Sequence, residues 1–314
     1  MTAAISTNGL TKRFRDVAAL TDLSLEVPAG SVFGFLGPNG AGKTTALKIL
    51  AGLTRSTSGD ASVNGVPVSV QGAHRAQVGY LAQEPHFYGW MSGRETLNYV
   101  ASFFPSEADP ASTDDVLELV GLADAADRPT RTYSGGMRQR LGIGQALAGN
   151  PSVLLLDEPA AALDPIGRRD VLELMQRLRG QKTIFYSTHI LDDVQRVSDH
   201  VAILDRGRLV VSAPTAQVMD VSVAATVRVA LRGAAEATAT ALAVLPGVAS
   251  VSAAGRSEDE WHYDVIVEEG QMGDVQHAVT RYAADAGLTL LGNRQQSINL
   301  EEAFLRIVDK ERAA

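Results

Sequence analysis

The sequence predicts an α/β fold for residues 1–220, followed by a smaller α+β domain for residues 221–314. In the first part, residues 31–50 read as a buried strand, a glycine-rich turn and a helix. Residues 153–156 form an apolar run that is typical of a strand buried in a parallel sheet. In the second part, short strands and helices follow one another in a different order, after a boundary that is marked by Pro214.

The composition excludes several classes of protein. The 314 residues are 45% apolar, enough for one large core and a smaller one. The absence of cysteine excludes disulfides, zinc–thiolate sites and a thiolate nucleophile. Because the net charge is −8, the broad basic surface of nucleic-acid binders is missing, and we expect no nucleic-acid partner. Without a signal peptide or about 20 consecutive apolar residues, we also expect no direct membrane insertion.

The strongest local motif is a glycine-rich turn of the form G-x-x-x-x-G-K-[ST] between the predicted strand and helix. Such a turn directs backbone N–H groups and a helix N-terminus at one point, which attracts phosphate. The predicted phosphate-binding residues are Gly37, Pro38, Asn39, Gly40, Ala41, Gly42, Lys43, Thr44 and Thr45. In this interpretation Lys43 contacts the β- and γ-phosphates of a nucleotide, and Thr44 binds Mg²⁺. The alternative is a chance glycine-rich turn.

Two carboxylates directly follow the apolar run at 153–156. Because parallel strands end at the same edge of a sheet, we expect Asp157 and Glu158 at the edge where ligands bind. Asp157 would coordinate Mg²⁺ through Thr44 and water, and Glu158 is the candidate general base that polarises the attacking water. The alternative is a core strand that ends in a solvated acidic turn.

A third motif, Ser134-Gly135-Gly136, precedes a periodic apolar helix that is predicted to reach Ala148. Ser134 reads as the helix N-cap, and the two glycines leave the following N–H groups uncovered. This is a second phosphate-binding helix terminus, although a chain needs only one for its own nucleotide. Alone, Ser-Gly-Gly is a common loop, but here it stands just upstream of the carboxylate strand.

The order of these motifs resembles that of the ABC ATPases over residues 1 to about 220. The parts of that family occur here as Phe14, the P-loop at 37–45, Gln83, the Ser-Gly-Gly signature at 134–136, Asp157 with Glu158, a D-loop at 162–164, and His189. The resemblance implies ATP and Mg²⁺ as cofactors. It also implies a mixed sheet core with a helical subdomain at about 84–150.

The resemblance gives roles to residues that carry little information alone. It implies that Phe14 stacks on adenine, that Gln83 senses Mg²⁺ and the attacking water, and that His189 contacts the γ-phosphate. The signature would reach the nucleotide of the opposite subunit, and Asp164 of the D-loop is placed at the nucleotide as well. Without the resemblance, Phe14 would be interpreted as a core residue and His189 as a structural histidine.

We therefore expect an ATP-hydrolysing subunit that works as a homodimer or heterodimer beneath a separate membrane permease, at the cytoplasmic face of the membrane. In the family, the helical subdomain receives the permease. Aromatic and Met side chains there would line the docking groove or form the subdomain's own core, and exposure would favour docking. These residues are Phe87, Tyr88, Trp90, Met91 and Tyr99.

Residues 221–314 follow the order β-α-β-β-α-β, which resembles a ferredoxin-like fold, and we assign no chemistry to them. A last helix is predicted with Asn299 as N-cap and Glu302 in a capping box. The segment from Ile298 to Leu305 resembles the "L-E-x-x-F" tail of the daunorubicin-resistance-type branch, whose ATPases serve bacterial exporters of drugs, antibiotics and polysaccharides. We therefore expect export. The alternatives are an importer subunit and a soluble ABC-type nucleotide switch outside transport.

Overall fold

The computed structural model describes residues 3–69, 72–104, 111–161, 163–221, 226–235, 237–257, 259–268 and 270–295. The chain divides into two compact units. The main segment of the first unit ends at Ala216, and the second unit begins at Gln217. The domain bounds 1–220 and 221–314 stay a prediction. Among the residues that the structure describes, no helix is long and apolar enough to span a membrane.

The first unit contains two sheets. Its strands are β1 (Ala3–Phe14), β2 (Val17–Pro28), β3 (Val32–Leu36), β4 (Ser58–Val63), β5 (Val66–Pro67), β6 (Val78–Leu81), β7 (Val153–Asp157), β8 (Thr183–Thr188), β9 (His200–Asp205) and β10 (Arg208–Pro214). One sheet is antiparallel, in the order β2-β1-β4-β5. The other has the order β10-β9-β3-β8-β7-β6, in which only β10 is antiparallel to its neighbour.

The central strands β3, β7 and β8 are buried along their whole length, because apolar side chains cover both faces of the parallel sheet. Their order in the sheet is β3-β8-β7, so three carboxyl ends meet at one edge. The register pairs Leu36 with Thr188, and Asp157 with Ser187. The glycine-rich turn and the Asp157-Glu158 pair therefore both lie at this edge.

Seven helices are described in or next to this unit. They are α1 (Lys43–Leu50), α2 (Gly93–Ala101), α3 (Thr113–Leu119), α4 (Gly135–Leu147), α5 (Pro165–Leu178), α6 (Leu191–Val197) and α7 (Thr215–Val221). The predicted helical subdomain corresponds to α2, α3 and α4, which pack on one another. Helix α2 begins with a capping box, in which Ser92 and Glu95 satisfy each other's backbone N–H groups.

The second unit has the predicted strand and helix order. Its elements are β11 (Thr226–Arg232), α8 (Ala237–Ala243), β12 (Val248–Ser257), β13 (Glu260–Val267), α9 (Met272–Asp285) and β14 (Thr289–Gln295). The four strands form an antiparallel sheet in the order β12-β13-β11-β14, as in a ferredoxin-like fold. The alternate residues Val227, Val229 and Leu231 are fully buried in the core shared with the two helices. The predicted last helix, with Asn299 and Glu302, and the tail motif lie outside the described residues.

Candidate functional site

The glycine-rich turn connects β3 to α1 and passes close to two other strands. A Cβ atom on Gly37 would lie 2.4 Å from the carbonyl oxygen of Leu204, and one on Gly42 would lie 2.3 Å from that of Ala19. Gly42 also has a φ of +108°, a conformation that side chains rarely adopt. Glycine is therefore required at both positions, because a side chain would collide with the neighbouring backbone. The turn is exposed at Pro38, Asn39 and Gly40.

Lys43 is the first residue of α1, and its side chain is 6% exposed. Its Nζ atom donates to the carbonyl oxygen of Gly37 at 2.7 Å and to that of Pro38 at 3.2 Å. The same atom lies 3.3 Å from Oε1 of Glu158. The ammonium group therefore lies between the glycine-rich turn and the carboxylate at the end of β7.

Asp157 is the last residue of β7 and is 1% exposed. Its Oδ1 atom accepts hydrogen bonds from Oγ1 of Thr44 at 3.1 Å and from Oγ of Ser187 at 2.6 Å. Its Oδ2 atom is buried and has no hydrogen-bond partner among the described residues. A buried carboxylate oxygen without a partner is costly, so this atom is a candidate ligand position.

Glu158 follows in a left-handed conformation, with a φ of +49°. Its backbone N–H donates to Oγ of Ser187 at 2.9 Å. Its Oε2 atom lies 3.0 Å from Nδ1 of His189, whose side chain is 45% exposed. Lys43, Glu158 and His189 thus form one continuous chain of polar contacts from the interior of the site to its surface.

The order of the strands explains this assembly. The glycine-rich turn follows β3, His189 follows β8, and Asp157 with Glu158 ends β7, so the three segments leave neighbouring strands at the same edge. Gln83 follows β6, the next strand in the sheet, and its side chain is exposed. No contact joins Gln83 to the other predicted groups in the described part of the chain, and its role stays a prediction.

Phe14 ends β1, at the tip of the hairpin formed with β2. Its side chain is 50% exposed, so the alternative interpretation as a core residue is wrong. The Nζ atom of Lys12 lies 4.6 Å from the centre of its ring, a cation–π contact. An exposed ring is compatible with stacking on a base, and that role stays a prediction.

The signature begins α4, where Ser134 is the N-cap as predicted. Ser134 and Gly135 are exposed. The nearest atom to a Cβ placed on Gly135 belongs to Leu163, and the nearest to one on Gly136 belongs to Gly167. The signature therefore packs beside the start of α5, and its exposed N-terminus is open to a group outside this chain.

The D-loop residue Asp164 is the N-cap of α5, and its Oδ1 accepts from the N–H of Gly167 at 3.0 Å. This carboxylate therefore has a structural role, and its predicted place at the nucleotide stays a prediction. Ala162 lies outside the described residues.

Three further groups near the edge had no place in the sequence prediction. Ser187 carries a signal that could have been noticed, since it is a polar residue in an apolar strand. Asp193 in α6 is 2% exposed and accepts from Nε of Arg168 at 2.7 Å. Burial raises the pKa of Asp193, and the hydrogen bond from Arg168 opposes this shift. Burial, together with the charge of Asp157, raises the pKa of Tyr80 to about 12.

The side chains considered for docking differ in their exposure. Tyr88, Trp90 and Tyr99 are 59%, 70% and 48% exposed, and the rings of Tyr88 and Trp90 lie 5.9 Å apart. Met91 is 8% exposed and belongs to the core of the subdomain, so docking is the wrong interpretation for it. Phe87 is half-buried.

Comparison with known proteins identifies the first unit. The ABC transporter family matches residues 20–161. An uncharacterised ABC transporter ATP-binding protein of Synechocystis is 43% identical over 208 residues, which is 65% of this chain and 58% of that protein. The chain thus spans less than two thirds of that relative's length.

Two relatives with descriptive names are covered more fully. The bacitracin transport ATP-binding protein BcrA of Bacillus licheniformis is 37% identical over 68% of this chain and 71% of its own length. The daunorubicin resistance ATP-binding protein DrrA3 of Streptomyces coeruleorubidus is 37% identical over 66% of this chain and 67% of its own length.

Solved structures confirm the predicted fold of the first unit. An ATP-binding cassette of an ABC transporter in its ADP conformation has a TM-score of 0.62 and is 23% identical, over 69% of this chain and 93% of that one. A dimeric cassette bound to ADP and Pi has a TM-score of 0.59 and is 22% identical, over 67% of this chain and 98% of that one. With the relatives above, the chain belongs to the ABC transporter family.

Proposed function

We propose that this chain binds and hydrolyses ATP as the ATPase subunit of an ABC transporter. The observation that carries the proposal is the chain of contacts Lys43–Glu158–His189 beside the Thr44–Asp157 hydrogen bond. An ammonium group, a buried carboxylate and a partly exposed histidine beside the glycine-rich turn support the proposal. Phosphoryl transfer needs positioned charges of this kind more than covalent chemistry.

The residues at this edge fit a divalent cation that arrives with the nucleotide. Thr44 Oγ1 and the unpartnered Oδ2 of Asp157 are the oxygen donors that Mg²⁺ prefers. The described residues contain no group of three or more His, Cys, Asp or Glu side chains that could hold a metal ion. Phosphate and water would supply the other ligands, which agrees with the way Mg²⁺ is bound at phosphate sites.

Glu158 is the group that would accept a proton from the attacking water. It is 5% exposed, and both of its oxygens are engaged, by Lys43 and by His189. A phosphate bound at the turn would compete for Lys43, which would free one carboxylate oxygen. His189 would keep the other oxygen in place and present its exposed ring to the outermost phosphate.

We further propose that two ATPase subunits close around two nucleotides, with each signature completing the site of the other subunit. The exposed Ser134 and Gly135 support this arrangement, because the signature contacts Leu163 and Gly167 rather than its own glycine-rich turn. One cassette of the same fold is dimeric with ADP and Pi. Two copies of this chain, or this chain with a related subunit, would satisfy the arrangement.

The membrane partner would be a separate permease that binds the helical subdomain at the cytoplasmic face of the membrane. The exposed Tyr88, Trp90 and Tyr99 support a docking surface there. Export is the favoured direction, because two relatives are named for bacitracin transport and daunorubicin resistance.

The activity is tested by phosphate release from ATP by the purified chain, with and without Mg²⁺. We expect Mg²⁺-dependent turnover in the wild type and none in the Lys43→Ala control. Nucleotide binding without turnover in the wild type would favour the soluble switch instead.

The docking surface is tested by the Trp90→Ala variant. Trp90 is 70% exposed, so we expect the free energy of unfolding to change by no more than about 0.5 kcal/mol, while co-purification of the membrane partner is lost. Unchanged co-purification would remove Trp90 from the docking surface.

A further inference from the structure

Ser187 is a buried hydroxyl that joins the two carboxylate positions of the site. It lies in β8 directly opposite Asp157 in β7 and is 0% exposed. Its Oγ donates to Oδ1 of Asp157 at 2.6 Å and accepts from the N–H of Glu158 at 2.9 Å.

The bond to Asp157 helps to fix the orientation of the carboxylate group. Oδ1 receives both the Ser187 and Thr44 hydroxyls, and Oδ2 has no partner in the described part of the chain. A partial rotation of the carboxylate would weaken both bonds at once, because they share one oxygen. Ser187 and Thr44 therefore hold the carboxylate of Asp157 through one oxygen, and the other oxygen remains an acceptor without a partner among the described residues.

The bond to Glu158 holds the backbone at the point where the chain leaves the strand. Glu158 has a φ of +49°, which non-glycine residues adopt only where their surroundings impose it. At this residue the side chain turns toward Lys43 and His189. The hydrogen bond from the Glu158 N–H to Ser187 stabilises that turn from the neighbouring strand.

Only a hydroxyl provides both bonds from one atom, since it donates once and still accepts. Alanine provides neither, and threonine provides both. We propose that Ser187 is a positioning residue that aligns Asp157 for Mg²⁺ and Glu158 for the attacking water. This inference rests on the proposed ATPase function, because it assigns Ser187 to that same site.

The test compares Ser187→Ala with Ser187→Thr and with Tyr186→Phe. Tyr186 is the neighbouring buried residue of β8, and its hydroxyl bonds to Ser198 instead of a carboxylate. Tyr186→Phe therefore removes one buried hydroxyl from the same strand without touching the site. The affinity for ATP is measured with Mg²⁺ and with EDTA, together with kcat and KM and thermal unfolding without nucleotide.

We expect Ser187→Ala to weaken Mg²⁺-dependent ATP binding by about 10- to 100-fold, the usual loss when a group that orients a metal ligand is removed. Binding in EDTA should change little, and kcat should fall more than KM rises. Ser187→Thr should restore most of the Mg²⁺ effect, and Tyr186→Phe should leave it at the wild-type value.

Equal losses with Mg²⁺ and with EDTA, or an unchanged Ser187→Ala variant, would overturn the inference. If Ser187→Thr does not fold, the comparison of Ser187→Ala with Tyr186→Phe decides. A wild-type chain that neither binds nor hydrolyses ATP would instead contradict the proposed function.

Discussion

Ion pairs lie at the carboxyl edge of the six-stranded sheet in the first unit and on one face of the four-stranded sheet in the second unit. At the edge, the side chains of Lys43 and Glu158 are each 6% exposed. In the second unit, Arg228 bonds to Asp264 through two hydrogen bonds of 2.8 and 2.9 Å, but the two side chains are 46% and 25% exposed. These residues alternate with the buried positions of β11 and β13, so they lie on the face opposite α8 and α9.

The difference lies in what each charge loses when its partner is removed. A charge on the face of the second unit is already partly exposed to water, and such pairs contribute about 0–1 kcal/mol. A charge at the buried edge has no water to return to, so an unpaired partner there is strongly unfavourable. The second unit is therefore stabilised by its apolar core, whereas the edge holds buried charges, to which the proposed function assigns binding and chemistry.

The largest effect is expected for Glu158→Gln. The amide keeps the size of the side chain but cannot accept the proton, so steady-state ATP hydrolysis should fall by at least about 100-fold. ATP binding should persist, and the variant should accumulate as an ATP-bound dimer in gel filtration. Glu173→Gln, on the exposed side of α5, is the matched control and should retain wild-type turnover. Full turnover by Glu158→Gln would remove Glu158 as the general base.

A core substitution in the second unit should have the next largest effect. Leu242 of α8 is 0% exposed within the apolar core, so Leu242→Ala should lower the free energy of unfolding of that unit by about 2–5 kcal/mol. Denaturant titration measures this loss. Val244→Ala is the control, because Val244 is 78% exposed and should change the value by no more than about 0.5 kcal/mol. Similar values for both variants would contradict a packed core at α8.

The smallest effect is expected for Arg228→Ala. The lost pair with Asp264 is partly exposed, so the free energy of unfolding should fall by less than about 1 kcal/mol. Added salt should reduce even this difference, because exposed charges are screened. Denaturant titration at low and high salt makes the comparison. A loss near that of Leu242→Ala would show that the two regions do not differ as described.

Motifs made of consecutive residues were the easiest to predict. The strand, glycine-rich turn and helix at 31–50 were predicted from local pattern, and β3 and α1 confirm them. The order of elements in the second unit was also predicted, because each strand and helix has its own periodicity. The antiparallel sheet of β1, β2, β4 and β5 was not predicted, and its pairing of β1 with β4 joins distant segments, which leaves no local signal.

Contacts within the site were harder to predict. Ser187 and Asp193 were missed, because the role of a polar residue in a buried strand or a short helix depends on which groups it contacts in the folded chain. The exposure of Phe14 and the burial of Met91 also needed the structure. Residue type gives only a preference for either environment, and the neighbours decide.

The sequence by itself determined the nucleotide motifs, their order along the chain, and the two-part architecture, because each depends on residues that are close together in the chain. Only the tertiary structure decided that Lys43, Glu158 and His189 contact one another, and that Ser187 holds the two carboxylates. Thr44 and Asp157 are 113 positions apart. They meet because β3, β8 and β7 lie side by side in parallel, and strand order is a property of the whole sheet.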